Sequence, residues 1–279
     1  GRRWDGRHPR ARAPRGAAAG GQPPATQPEV VRGRAGGGAR PPQVTPPHRR
    51  AGAAPATRES RNPEAGAGRT TGVIRNIAQD AQGMTSNAFL VTGRPGSRAP
   101  AADDGDAGRR VLVDCGANYD AVAAVREQVD DLDAVVLTHT HPDHVGTVPA
   151  LREAFDVKTQ GYDASHDTVD EQLGDRETVQ MGTATFETLH TPGHKNDHLC
   201  LFDRDSGTLF AGDLVFADGA FGRTDLEQGD RETLIDSIER LREWVAGDLD
   251  AIHTGHGRSI ETTPEESLEL SARAAQTRM

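Results

Sequence analysis

The chain has 279 residues, 34% of them apolar and 27% charged, with a formal net charge of −10. No run approaches the roughly 18 consecutive apolar residues of a membrane-spanning helix, so no such span and no membrane partner is expected. The charge is unevenly divided: residues 1–68 hold 13 Arg and 4 acidic residues, whereas residues 69–279 hold 19 basic and 38 acidic side chains.

Residues 1–68 are Gly, Pro, Ala and Arg with almost no large apolar side chains. Such a segment cannot bury enough surface to offset its ordering entropy and is expected to be a disordered basic extension. It reads as a non-folding extension or as upstream sequence foreign to the native protein; a basic arm for nucleic acid is the weaker alternative, because Trp4 is its sole aromatic residue. No apolar core of a signal peptide follows the arginines. Residues 69–279 form the expected folded domain. Its only lysines are Lys158 and Lys195, and its acidic surplus suits a surface that holds water at high salt and repels nucleic acid. Cys115 and Cys200 lie in or beside apolar runs, as expected of buried thiols in a cytoplasmic protein, and a disulfide stays open as the alternative.

In chain order, short β-branched runs predict strands at Val73–Ala78, Ala88–Thr92, Val111–Val113, Ala134–Thr138, Val157–Thr159, Ala184–Leu189, Leu199–Phe202, Leu209–Ala211 and Ala251–His253. Helical spacing predicts helices near Ala121–Val129, Val148–Ala154, Arg231–Val245 and Pro264–Ala274, the third carrying a stripe of Leu234, Ile235, Ile238, Leu241 and Val245. Gly93–Gly108 reads as a long loop between two strands. The mixture predicts a layered α/β or α+β domain.

The run Thr138-His139-Thr140-His141-Pro142-Asp143-His144 places four metal-ligating side chains within six residues, directly after an apolar strand. Imidazole and carboxylate together suit zinc, iron or manganese rather than calcium. His194 in Thr-Pro-Gly-His, Asp213 in Ala-Gly-Asp and His256 in Thr-Gly-His each follow an apolar run and a glycine. Ligands at the ends of different strands are how a rigid scaffold presents a site.

This ordered set resembles the metallo-β-lactamase superfamily over roughly residues 70–260. The resemblance implies a four-layer αββα sandwich with one metal on His139, His141 and His194, a second on Asp143, His144 and His256, and Asp213 bridging them. Within the superfamily, Thr191–His194 followed by His198-Leu199-Cys200 looks like the glyoxalase II group, and Phe221–Asp225 resembles the Gly-Arg-x-Asp segment of its short branch and of persulfide dioxygenases. Two departures bear on a glutathione thioester substrate. Only 23 residues follow His256, so the helical C-terminal substrate domain of full glyoxalase II enzymes is expected to be missing, and Asp197 stands where that group often has Gly.

The implied chemistry is hydrolysis of an activated acyl bond, a thioester or lactone, by a hydroxide shared between two divalent ions, most simply zinc. Asp143 would be ligand and orienter of that hydroxide. Arg223 and Lys195 are the candidate substrate contacts, with an ion pair to Asp225 and a solvated loop lysine as their ordinary alternatives. Asp114 is a candidate orienter of a ligand histidine and Cys115 is expected near the site. His198 is expected to pack behind the ligands, His166 to be exposed, and His190 and His253 to have no role. The competing expectation is a persulfide dioxygenase with a single iron on His139, His141 and Asp213 or His194.

Overall fold

The computed structural model describes residues 72–93 and 108–277. The expectation for residues 1–68, and that for most of the 93–108 loop, lie outside the described residues. Two sheets run consecutively along the chain. The first contains β1 (Val73–Asn76), β2 (Phe89–Thr92), β3 (Val111–Val113), β4 (Ala134–Val136), β5 (Thr159–Gly161) and β6 (Glu171–Gln172), hydrogen-bonded in that order. The second contains β7 (Thr178–Met181), β8 (Ala184–His190), β9 (Leu199–Asp203), β10 (Thr208–Gly212) and β11 (Ala251–Thr254), also in sequence order across the sheet. Strands β1 to β3 are antiparallel and β3 to β6 parallel; β7 to β10 are antiparallel, and β11 joins β10 in parallel.

Alternation of side chains across each strand builds three cores. Val111 and Val113 of β3 face the second sheet, where they join Phe186, Leu199, Leu201 and Phe210 between the sheets. Leu112 points the other way, onto α1 (Ala121–Arg126) and α3 (Val148–Phe155), with Val125, Val148 and Leu151. In the second sheet Cys200, Phe202 and Leu209 pack on α4 (Arg231–Val245) and α5 (Pro264–Thr277) through Leu234, Ile238, Leu241, Leu268 and Ala272. The result is the expected αββα sandwich: both faces of each sheet are buried, which explains runs such as β9 and β10 in which every residue is buried. Helix α4 has the predicted bounds; Asp230 caps it by accepting the Thr233 amide at 2.7 Å.

Several elements depart from expectation: β5 begins at Thr159, where the predicted strand Val157–Thr159 ends, and the short 3-10 turn at Ala217–Gly219 is unpredicted. Strand β7, Thr-Val-Gln-Met, alternates exposed and buried residues at the sheet edge, and its two polar residues hide it in a search for apolar runs. Strand β6 is a two-residue polar edge. The ligand-rich run itself contains a single helical turn, α2 (Pro142–Val145), begun by proline at its first position.

Candidate metal centre

The site lies where the C-terminal ends of strands from both sheets meet. Strand β4 ends at Val136, and the next residues are held individually: the Leu137 amide donates to Gln160 O at 2.8 Å, Thr138 N donates to Asp114 Oδ1 at 2.8 Å, and Leu199 N donates to Thr138 O at 2.7 Å. His141 then begins α2, which turns Asp143 and His144 toward the same point. His194 follows β8, Asp213 follows β10 and His256 follows β11.

All seven expected ligands converge. Three groups of side chains have ligand atoms within 4.8 Å of one another: His139, His141 and His194; His139, His144 and Asp213; Asp143, His144 and His256. His139 Nε2 lies 3.0 Å from His141 Nδ1, which lies 2.9 Å from His194 Nε2. His256 Nε2 lies 3.2 Å from Asp143 Oδ2. Asp213 faces both sets: Oδ1 is 3.3 Å from His144 Nε2, and Oδ2 is 3.5 Å from His194 Nε2 and 3.4 Å from His256 Nε2. Gly255 permits this approach, because a Cβ there would stand 2.0 Å from Asp213 Oδ1.

The hydrogen bonds behind the ring atoms fix which nitrogen offers a lone pair. Thr138 Oγ1 donates its one proton to Asp114 Oδ2 at 2.8 Å and so accepts from His139 Nδ1 at 3.1 Å, leaving His139 Nε2 unprotonated. His194 Nδ1 donates to the Arg223 carbonyl at 2.7 Å, which leaves its Nε2 unprotonated. His144 Nδ1 donates to Asp114 Oδ2 at 2.8 Å and turns Nε2 toward Asp213. Asp114 therefore orients His144 directly and His139 through Thr138. His198, fully buried, accepts the Asp213 amide on Nε2 at 3.0 Å and donates to Thr191 Oγ1 at 2.8 Å, so it positions the bridging aspartate.

The donor set fits divalent cations. His144 Nε2 and Asp213 Oδ1 are buried and lack any hydrogen-bond partner although they face each other, an arrangement that is expensive for polar atoms and natural for two ligands. Burial drives His139 well below the usual histidine range, takes His141 down to about 4 and lowers His194, so these three imidazoles are neutral at pH 7, as ligation requires. Burial also pulls on His144 and His256, but the carboxylates around them prevail: Asp114 and Asp213 hold His144 well above the usual range, and Asp143 and Asp213 lift His256 to about 9. The hydrogen bond from His256 keeps Asp143 below its ordinary value. The clusters are able to bind a dinuclear metal site.

The remaining expectations fall out unevenly. The Arg223 guanidinium is 67% exposed and pairs with Asp225 through two 2.9 Å bonds, while its backbone carbonyl fixes His194. Lys195 is half-buried, and its ammonium donates to Thr140, Asp197 and Gln228. Cys115 lies beside the site, with Sγ 3.2 Å from His144 O, and burial pushes its thiol up to about 12. His166, expected at the surface, is half-buried and bonds Thr168 at 2.8 Å. His190 stacks on Tyr162 and His253 packs between Phe89 and Phe210, which gives both a packing role. The Thr138 relay and the Arg223 carbonyl escape sequence reasoning; a hydroxyl residue directly before the first ligand is the one signal available for the former.

The chain is similar to hydroxyacylglutathione hydrolase GloC of Haemophilus influenzae, at 31% identity over 169 residues, 52% of this chain and 79% of that protein. Among solved structures it is similar to TTHA1623 in a di-iron-bound form, at 27% identity and a TM-score of 0.54, covering 69% of this chain and 94% of that one. ETHE1 from Myxococcus xanthus shares the fold at 21% identity and a TM-score of 0.56, over 74% of this chain and 90% of that one. The model of the metallo-beta-lactamase superfamily matches residues 102–256, more than half the chain and every converging side chain described above, and the protein belongs to that superfamily.

Proposed function

We propose that the protein is a metal-dependent hydrolase of activated acyl bonds, a thioester of the hydroxyacyl-thioester kind first and a lactone second, acting on a small molecule. The observation that carries this reading is Asp213, whose carboxylate lies within 3.5 Å of histidines from both sets, Oδ1 beside His144 and Oδ2 beside His194 and His256. The similarity to a hydroxyacylglutathione hydrolase supports the thioester. Two divalent ions held by His139, His141 and His194, by Asp143, His144 and His256, and by Asp213 between them would acidify water and polarise the scissile carbonyl. The ligand types favour zinc, with iron or manganese as alternatives.

The protein's own groups do the rest. Asp143, half-buried at the edge of the centre, is placed to orient the attacking water. Asp213 offsets the charge of both ions. The exposed Arg223, with one terminal nitrogen outside its pair with Asp225, is the substrate contact that would meet a carboxylate. Two free buried thiols support a reducing, cytoplasmic setting, and the acidic surplus supports a salt-tolerant surface that does not take nucleic acid. The Gly222–Asp225 segment is the observation behind a second reading, a mononuclear iron persulfide dioxygenase; the set Asp143, His144 and His256 supports the dinuclear one.

The test is turnover of a panel of acyl thioesters, lactones and persulfides alongside metal analysis of protein purified with and without air. Asp143→Ala and His141→Ala are expected to lower thioester turnover at least 100-fold while the far-UV spectrum is kept. Iron-dependent oxygen uptake on a persulfide would sink the hydrolase reading.

A further inference from the structure

Between the loop carrying His141 and the loop carrying His194 lies a polar cluster that the acyl chemistry does not use. Thr140 Oγ1 donates to Asp197 Oδ2 at 2.6 Å. Lys195 Nζ donates to Thr140 Oγ1 at 2.8 Å, to Asp197 Oδ1 at 3.1 Å and to Gln228 Oε1 at 3.4 Å, so the three protons of its ammonium meet three acceptors. The cluster is nearly dry: Thr140 is 5% and Asp197 4% exposed, and the lysine side chain 12%. It spans residues 55 to 57 positions apart in the chain, each within three residues of a histidine of the three-histidine group.

Backbone bonds to Gln160 and Leu199 hold Leu137 and Thr138, and beyond them His139 and Thr140 belong to no strand or helix. A buried ion pair is a poor way to gain stability, because desolvation consumes most of its attraction. What it supplies is register: the Thr140 hydroxyl of one loop accepts from Lys195 and donates to Asp197 of the other, and the Lys195–Asp197 pair holds that partner in place.

We propose that Lys195, Asp197 and Thr140 are positioning residues that hold the two loops at the spacing at which His139, His141 and His194 close on a single divalent cation. They set the affinity of that group without touching the ion. Asp114 serves both halves of the centre, His144 directly and His139 through Thr138, whereas this cluster touches only the loops of the three-histidine group. The inference rests on the metal-centre reading above.

The test uses the full chain, stripped of metal and titrated with Zn(II) or Co(II) against a chromophoric chelator. Thr140→Val deletes the hydroxyl but keeps the shape, and Thr140→Ser restores it. The double variant Lys195→Met with Asp197→Asn removes both charges together, so neither is left buried alone. His141→Ala identifies which Co(II) absorption belongs to the three-histidine group. Thr140→Val and the double variant are expected to bind that one ion at least tenfold more weakly and the other unchanged, with Thr140→Ser at the wild-type value. Wild-type affinity for both ions in Thr140→Val overturns the proposal, whatever its melting temperature. Loss of no ion in His141→Ala overturns the metal-centre reading itself, and the proposal with it.

Discussion

The Asp114 carboxylate accepts three protons, from Thr138 N, Thr138 Oγ1 and His144 Nδ1, and does so from a left-handed backbone conformation with φ 54°. Removing it leaves His144, fully buried, beside an unanswered carboxylate on the other side. Asp114→Ala is expected to lose about 3–5 kcal/mol of stability, the usual consequence of breaking a buried charged pair. Asp114→Asn should keep the fold and weaken metal binding about 10–100-fold, measured by chelator competition. His253 makes a different statement. Burial between Phe89 and Phe210 takes it down to about 4, below its unfolded value of about 6.5. The unfolded chain then binds the extra proton between those two values. The His253 contribution is complete above pH 6.5 and is lost as pH falls toward 4, with a slope of at most about 1.4 kcal/mol per pH unit. His253→Phe should show a smaller drop in urea midpoint between pH 7.5 and pH 5 than the wild type; an equal drop would refute the assignment.

At the scale of elements, position decides more than composition. Gly193 has φ 125°, and a Cβ there would stand 2.3 Å from Leu234 N, against the first turn of α4. Gly193→Ala must push α4 off the loop that carries His194. A loss of about 3 kcal/mol, at the upper end of overpacking costs, is expected in urea unfolding of chelated protein, together with weaker metal binding. This bears on what the sequence made legible. Helix α4 was readable because its one-sided stripe is the face that the structure buries, at Leu234, Ile238, Leu241 and Val245. The seven candidate ligands were readable because four fall within His139–His144, directly after an apolar strand, and His194, Asp213 and His256 each follow a glycine beyond another apolar run. The edge strands β6 and β7 were not, since half or more of their residues face solvent and leave no apolar run. Nor was the engagement of Lys195: its partners come from the loop of Thr140 and from Gln228, and only the meeting of the two sheets brings those together.

On the scale of the whole molecule, the two sheets are successive halves of one chain, covering 73–172 and 178–254. The run His139–His144 belongs to the first half, and His194, Asp213 and His256 to the second. Neither half holds a complete set of ligands. A cation bound only by the joined halves stabilises the folded state by mass action, about 2.7 kcal/mol at a free concentration 100 times its dissociation constant. Chelation is expected to lower the melting temperature, and readdition of metal to restore it. The kinetic side of the same arrangement is more particular. If folding is limited by the packing of the two sheets together, the ligands assemble only after that barrier and the ion is absent from it. Metal should therefore slow unfolding by the full factor of its stabilisation and leave the refolding rate unchanged. The ion, on this geometry, is a latch on a closed door: it governs how long the native state lasts and has no part in how quickly that state is reached.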